Sequence, residues 1–225
     1  MMKIKAVLFD LDNTLIDFMK MKRLASNAAA SAMVDAGLDA EKKELAEELF
    51  AFYRKNGIES DDVFERFLLE KYGKADLRVL AAGINAYLKE KYMHMKPYPG
   101  VKEVLSELKG RGLKLGVVSD GLRLKAWMRL NEAGIDRFFG VVIAFEDTNK
   151  KKPSPEPFRK ALGELKVKPE ECLFVGDWPE KDIKGAKDLG MKTCFARYGC
   201  LRKEVSCDAE YCIDDIGDIL SIVGL

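Results

Sequence analysis

Glutamine is absent from this 225-residue chain, histidine occurs once, and no apolar run approaches the length of a membrane span. Missing Gln beside abundant Lys and Glu is the tilt expected of a heat-adapted protein, although nine Met and five Cys pull the other way. The single histidine, His94, lies away from every motif described below and is assigned no catalytic role. Neither sign of charge dominates, since 38 Lys+Arg against 37 Asp+Glu leave a net +1. That balance removes the electrostatic case for nucleic acid or an anionic membrane as partner. The opening MMKIKAVLFDLDNTL meets two acidic residues within its first dozen positions, unlike a signal peptide or a spanning helix, so a cytoplasmic protein is expected. Cysteine is missing until Cys172. Cys172, Cys194, Cys200, Cys207 and Cys212 lack the paired short spacings of a zinc site and read as small buried apolar residues, with a Cys200–Cys212 disulfide as the alternative.

What is present is enough for a large core: hydrophobic residues make up 48% of the chain and charged residues 33%. The run Ile4, Ala6, Val7, Leu8, Phe9 has the size of a buried parallel strand and stops at two carboxylates. Similar runs recur at Leu113–Val118, Phe138–Ala144, Cys172–Val175 and Met191–Ala196. Helical patterns separate them, at Val101–Leu108, Leu122–Ala133, Phe158–Leu165 and Ile183–Leu189, the last closed by Gly190. Strands alternating with helices predict an α/β fold, a Rossmann-like parallel sheet flanked by helices.

Residues 18–95 break the alternation. Their apolar residues keep a helical period at Leu45, Leu49, Phe52, Tyr53, then Val63, Phe64, Phe67, Leu68, then Leu77, Leu80, Ala81, Ile84, Leu88, with Gly37, Gly57 and Gly73 where helices would end. An inserted all-α domain is therefore expected at 18–95, with 1–17 and 96–225 forming the α/β core. The return passage MKPYPG is stiff and turn-prone.

Ligands of a doubly wound sheet bind beyond the carboxyl ends of its strands, so the polar residues that follow each apolar run are the candidates for chemistry. The first run ends at Asp10-Leu11-Asp12-Asn13-Thr14, the second at Ser119-Asp120-Gly121, and the fourth at Gly176-Asp177 with Asp182 five residues on. Lys152-Pro153 precedes the helix at Phe158. Crowded carboxylates repel one another, and an all-oxygen cluster suits Mg²⁺. A lysine and a Ser-Asp-Gly turn add positive charge and donors, as a transferring phosphoryl group requires.

With these motifs in this order, the sequence resembles the haloacid dehalogenase superfamily of phosphohydrolases. The resemblance implies that Asp10 is the nucleophile, forming an aspartyl-phosphate, and Asp12 the general acid and base. It further implies that Ser119, Asp120, Gly121 and Lys152 bind the substrate, Ser119 as the phosphate-binding hydroxyl and Lys152 neutralising charge, and that Asp10, Asp12, Asp177 and Asp182 hold the metal, Asp12 through its backbone carbonyl. Trp178 and Pro179 stand where many members carry small polar residues, which leaves the partner of Asp182 open. A carboxylate at Asp12 favours phosphate esters over haloalkanoates, because an alkoxide leaving group benefits from an acid whereas halide does not. The position of the insert resembles a C1-type helical cap, which closes over the site and excludes water. Small phosphorylated metabolites are then the expected substrates, glyceraldehyde 3-phosphate and phosphoglycolate among them. A phosphomutase and a catalytically silent metabolite-binding module are the alternatives, and the protein is expected to be a monomer or homodimer.

Other residues receive blander readings. Lys150 and Lys151 belong to a solvated loop. Lys20, Lys22 and Arg23 near the start of the insert are read as solvated surface, with an anionic substrate as the alternative. Met19, Met21, Met93 and Met95 at the two linkers are read as core packing.

Overall fold

The computed structural model describes residues 3–60, 62–202 and 205–224. The chain divides into two compact units, one comprising Met1–Asp17 with Lys96–Leu225, the other Phe18–Met95.

The first unit is built on a parallel sheet of β1 (Ala6–Phe9), β2 (Lys114–Val118), β3 (Val141–Ile143), β4 (Cys172–Gly176), β5 (Lys192–Ala196) and β6 (Tyr211–Ile213), in the order β3-β2-β1-β4-β5-β6. The first five correspond to the apolar runs. β6 was not anticipated, because Tyr-Cys-Ile is too short to stand out and only Ile213 of its three residues is buried. β1 lies between β2 and β4, with Phe9 opposite both Val117 and Val175. The chain leaves β1 toward β2 and β3, then crosses back to β4 on the other side. This reversal makes the carboxyl end of β1 the switch point at which such sheets bind ligands. On one face of the sheet Leu8, Val118, Ile143, Cys172 and Phe174 pack with Phe158, Ala161, Leu162 and Leu165, and the rings of Phe158 and Phe174 meet edge to face at 5.0 Å.

The second unit is all helical: α1 (Phe18–Asp35), α2 (Lys42–Asn56), α3 (Val63–Tyr72) and α4 (Leu77–His94). Asp76 caps α4 by accepting from the N–H groups of Arg78 and Val79, at 2.9 and 3.3 Å. Leu45, Leu49, Tyr53, Val63, Phe64, Phe67 and Leu68 are buried where the periodicity placed them. α4 differs. It buries Val79, Gly83 and Tyr87, whereas Leu77, Ile84 and Leu88 are exposed. α4 packs chiefly against α1, and Val79 and Tyr87 are buried in one cluster with Ala25, Ala29 and Ala30 of that helix.

Lys22 was read as surface, and the structure corrects this. Its side chain is buried, with Nζ 4.0 Å from the centroid of the Tyr53 ring and 4.9 Å from that of Tyr87, and it donates to the Tyr87 hydroxyl at 2.5 Å. Nothing in the local pattern shows that α2 and α4 deliver two phenol rings to one ammonium. Arg23 stays half exposed beside Glu47 at 3.2 Å, and Lys20 is exposed. His94 pairs with Glu90 at 3.0 Å. Of the linker methionines, Met21 and Met95 are buried whereas Met93 is half exposed. All five cysteines are free thiols, so the Cys200–Cys212 alternative is not realised. Only Cys172 and Cys194 are buried, whereas Cys212 lies on β6 at the edge of the sheet. Among the described residues no helix is long and apolar enough to cross a membrane.

Candidate active site

Asp10 follows β1 directly, and its backbone N–H donates to the carbonyl of Val175 at 2.8 Å, which ties the start of the loop to β4. The chain then turns tightly. Asn13 adopts a left-handed conformation with φ of 61°, which Asn tolerates better than most residues, and its N–H donates to the Ile16 carbonyl at 2.7 Å. The turn aims Thr14 at β4: its hydroxyl donates to Asp177 Oδ1 at 3.1 Å.

Ser119 follows β2 with its N–H bonded to the Ile143 carbonyl at 2.8 Å, and its hydroxyl accepts from the Gly121 N–H at 3.1 Å. Asp120 is used inward as a brace, accepting the backbone N–H of Lys152 at 2.8 Å. The cis Lys152–Pro153 bond lies just before the helix Pro155–Leu165. With its backbone held by Asp120, Lys152 sends its ammonium into the site. There it donates to Asp10 Oδ1 and lies 2.7 Å from Asp182 Oδ1.

Asp182 arrives on a π-type turn, Pro179–Ile183, that follows β4. The open question of its partner is answered by the backbone: the N–H of Trp178 donates to Asp182 Oδ2 at 3.0 Å. Gly176 makes room for it, because a Cβ at that position would lie 2.5 Å from the Asp182 side chain. Asp10, Asp177 and Asp182 are all buried and each offers one oxygen within 4.8 Å of the others.

Burial is the first cause of a raised Asp177 pKa, pushed up to about 9, with the neighbouring Asp10 and Asp182 charges adding to it. Asp182 rises to about 6, again chiefly through burial, partly relieved by Lys152. Asp10 is raised by burial and by Asp12, against the pull of Lys152. Burial by itself would lower the pKa of Lys152, but Asp10, Asp182 and Asp120 outweigh it and hold the ammonium charged. One cation therefore faces three crowded carboxylates. A compact, all-oxygen, electron-rich donor set of this kind fits a hard divalent cation.

The carboxylate of Asp12 points elsewhere. Its Oδ2 accepts from Arg129 Nη1 at 2.7 Å. Arg129 was missed in the sequence, as were Tyr198 and Gly199. The Tyr198 hydroxyl donates to the Thr14 carbonyl at 2.7 Å, and a Cβ on Gly199 would lie 1.6 Å from the Asn13 carbonyl oxygen, so the segment after β5 backs the Asp10–Thr14 loop. Tyr-Gly just beyond the fifth apolar run was the only available signal, and a weak one.

Residues 7–196 match the haloacid dehalogenase-like hydrolase family. The chain belongs to this family. It is a phosphohydrolase of the superfamily whose inserted region is all helical. It is 36% identical over 222 residues to a glyceraldehyde 3-phosphate phosphatase of Methanocaldococcus jannaschii, covering 98% of this chain and 97% of the relative. It is 39% identical over 198 residues to a glyceraldehyde 3-phosphate phosphatase of Methanopyrus kandleri, covering 87% and 85%. Among solved structures, a HAD phosphatase from Thermococcus onnurineus superposes with a TM-score of 0.71 at 26% identity, covering 98% of both chains.

Proposed function

We propose that the protein hydrolyses glyceraldehyde 3-phosphate, or a phosphate monoester of similar size, through an aspartyl-phosphate on Asp10 with Mg²⁺ as its metal. The observation that carries this reading is the ammonium of Lys152 held between Asp10 and Asp182, with Asp177 completing a buried carboxylate cluster. Asp10, Asp177 and Asp182 would hold the ion through their side chains and Asp12 through its backbone carbonyl. When bound, Mg²⁺ supplies positive charge that lets carboxylate and phosphate approach.

The residues of the chain divide the work. An oxygen of Asp10 bonds to phosphorus as the ester P–O bond breaks, and Asp12 gives its proton to the departing alkoxide. Water then surrenders a proton to Asp12 and attacks the phosphorus, the P–O bond to Asp10 breaks, and inorganic phosphate leaves. Lys152 and Ser119 steady the phosphoryl oxygens, with the Asp120–Lys152 backbone bond fixing the lysine. The helical unit is read as the cap that selects among esters. Support for the substrate comes from the two named relatives, each similar over most of its length.

The reading is tested with a panel of phosphate esters, following phosphate release with and without chelator. Glyceraldehyde 3-phosphate should lead the panel, EDTA should abolish turnover and Mg²⁺ should restore it. Turnover undiminished in chelator would overturn the metal assignment, and transfer of the phosphoryl group to a second sugar position without phosphate release would identify a mutase.

A further inference from the structure

The helix Arg123–Glu132 carries an arginine on its buried face and large apolar side chains on its exposed one. Its outward face carries Leu124, Trp127 and Met128, between 41% and 72% exposed, whereas the inward face is Ala126, Arg129, Leu130 and Ala133. A guanidinium 5% exposed thus takes a core position in a stripe that an aliphatic side chain would satisfy. Helix propensity does not call for it, and burying an arginine is costly unless an anion meets it. The anion is the carboxylate of Asp12, 2.7 Å away across 117 positions of sequence.

We propose that Arg129 is a positioning residue for Asp12, gripping Oδ2 so that the carboxylate keeps one orientation while its proton is handed to the ester oxygen and later recovered from water. The proposal rests on the acid–base reading of Asp12 above. Arginine keeps its own proton throughout, so it replaces no step and forms or breaks no bond. Its contribution is orientational. Asp12 begins a turn with its side chain 22% exposed, and a carboxylate there with an unrestrained side chain would spread over several rotamers. Proton transfer to a leaving group depends steeply on that placement, and a misplacement of about 1 Å can cost on the order of 10²-fold. The two roles in the site are thereby separated: Lys152 answers the nucleophile, and Arg129 answers the acid.

The experiment is a double-mutant cycle of Arg129→Met and Asp12→Asn, assayed with an alkyl phosphate ester in Mg²⁺ and by intact mass for phosphoenzyme. Arg129→Met should lower kcat about 10–100-fold with KM within about two-fold of the parent, and with p-nitrophenyl phosphate, whose leaving group needs little protonation, phosphoenzyme should accumulate on Asp10. In the Asp12→Asn background the same change should cost nothing further, because the group that Arg129 orients is already disabled. Losses that multiply in the double variant, a parental kcat in Arg129→Met, or an effect confined to KM would each overturn the proposal. Asp12→Asn turning over alkyl esters at the parental rate would overturn the acid–base reading and this proposal with it. A slow Asp12→Asn beside a fast Arg129→Met overturns this proposal alone. Should Arg129→Met lose its cooperative unfolding transition, Arg129→Gln, which retains an amide donor in the site, carries the same cycle with the same overturning results.

Discussion

Among the described residues each unit of the molecule buries one lysine, and the two are solvated in opposite ways. Lys22 in the helical unit lies against the faces of Tyr53 and Tyr87 and donates to a phenol oxygen. Lys152 in the α/β unit is met by the carboxylates of Asp10 and Asp182, with the charge of Asp120 also felt. Ring quadrupoles hold an ammonium without bringing in full negative charge. Asp177 and Asp182 are pushed toward protonation first by burial and then by neighbouring carboxylate charge that one lysine does not cancel. The first arrangement packs a fold. The second leaves a site that attracts positive charge, and it lies at the switch point of the sheet.

The largest expected effect breaks the core side of this contrast at its nucleophile. Asp10→Asn should reduce turnover by at least about 10⁴-fold and leave no phosphoenzyme detectable by mass. A covalent phosphoryl adduct in that variant would move the nucleophile elsewhere.

Lys152→Met should follow, lowering kcat about 10²–10³-fold through lost stabilisation of the phosphoryl oxygens. Without metal it should also cost about 3 kcal/mol in urea unfolding, because Asp10 and Asp182 lose the cation they face in a buried site. Stability equal to the parent in chelator would show that protonation of the carboxylates relieves the cluster unaided.

The charge excess can be read as a pH dependence. The carboxyl of Asp177 has a pKa of about 9 in the folded protein against an ordinary value of 3.8, so between these limits the native state holds a proton that the unfolded chain gives up. Its contribution to stability is full below the ordinary value and is lost as pH rises through the folded one. In chelator, the Tm difference between the parent and Asp177→Asn should therefore turn against the parent from about pH 5 to about pH 8, and Mg²⁺ should flatten the trend. A difference that is level with pH in chelator would contradict the raised pKa that burial and crowding together give Asp177.

The smallest effect belongs to the helical unit. Lys22→Met keeps the stem and removes the charge, and should change unfolding free energy by only about 1 kcal/mol, since Met also packs well against aromatic rings. A loss as large as that from Lys152→Met would erase the distinction between the two lysines.

The α/β alternation, the all-helical character of the insert and the motif residues were legible because each depends on local pattern. A parallel strand is a short apolar run, and a residue placed just after it must emerge at the carboxyl end of the sheet. Asp10, Ser119 and Asp177 could be placed near one another for that reason alone, before any contact was known. Lys152 needed only the helix that follows it. The outward turn of Leu77, Ile84 and Leu88 on α4 was not legible, because periodicity identifies a stripe but not which of two stripes is covered.

What the sequence determined by itself was thus the fold class and the identity of the groups that converge, since strand ends and helix periods are properties of neighbouring residues. What only the tertiary structure decided was the pairing of buried charges. Arg129 reaches Asp12 across 117 positions and Tyr198 reaches Thr14 across 184, while Lys22 meets Tyr87 across 65. In the sequence these are ordinary surface-type residues, an arginine and a lysine within helices and a tyrosine after a strand. Their burial follows from which helix face packs inward and from the groups waiting there, because desolvating a charge or a hydroxyl is tolerable only where the fold brings a partner within hydrogen-bonding distance.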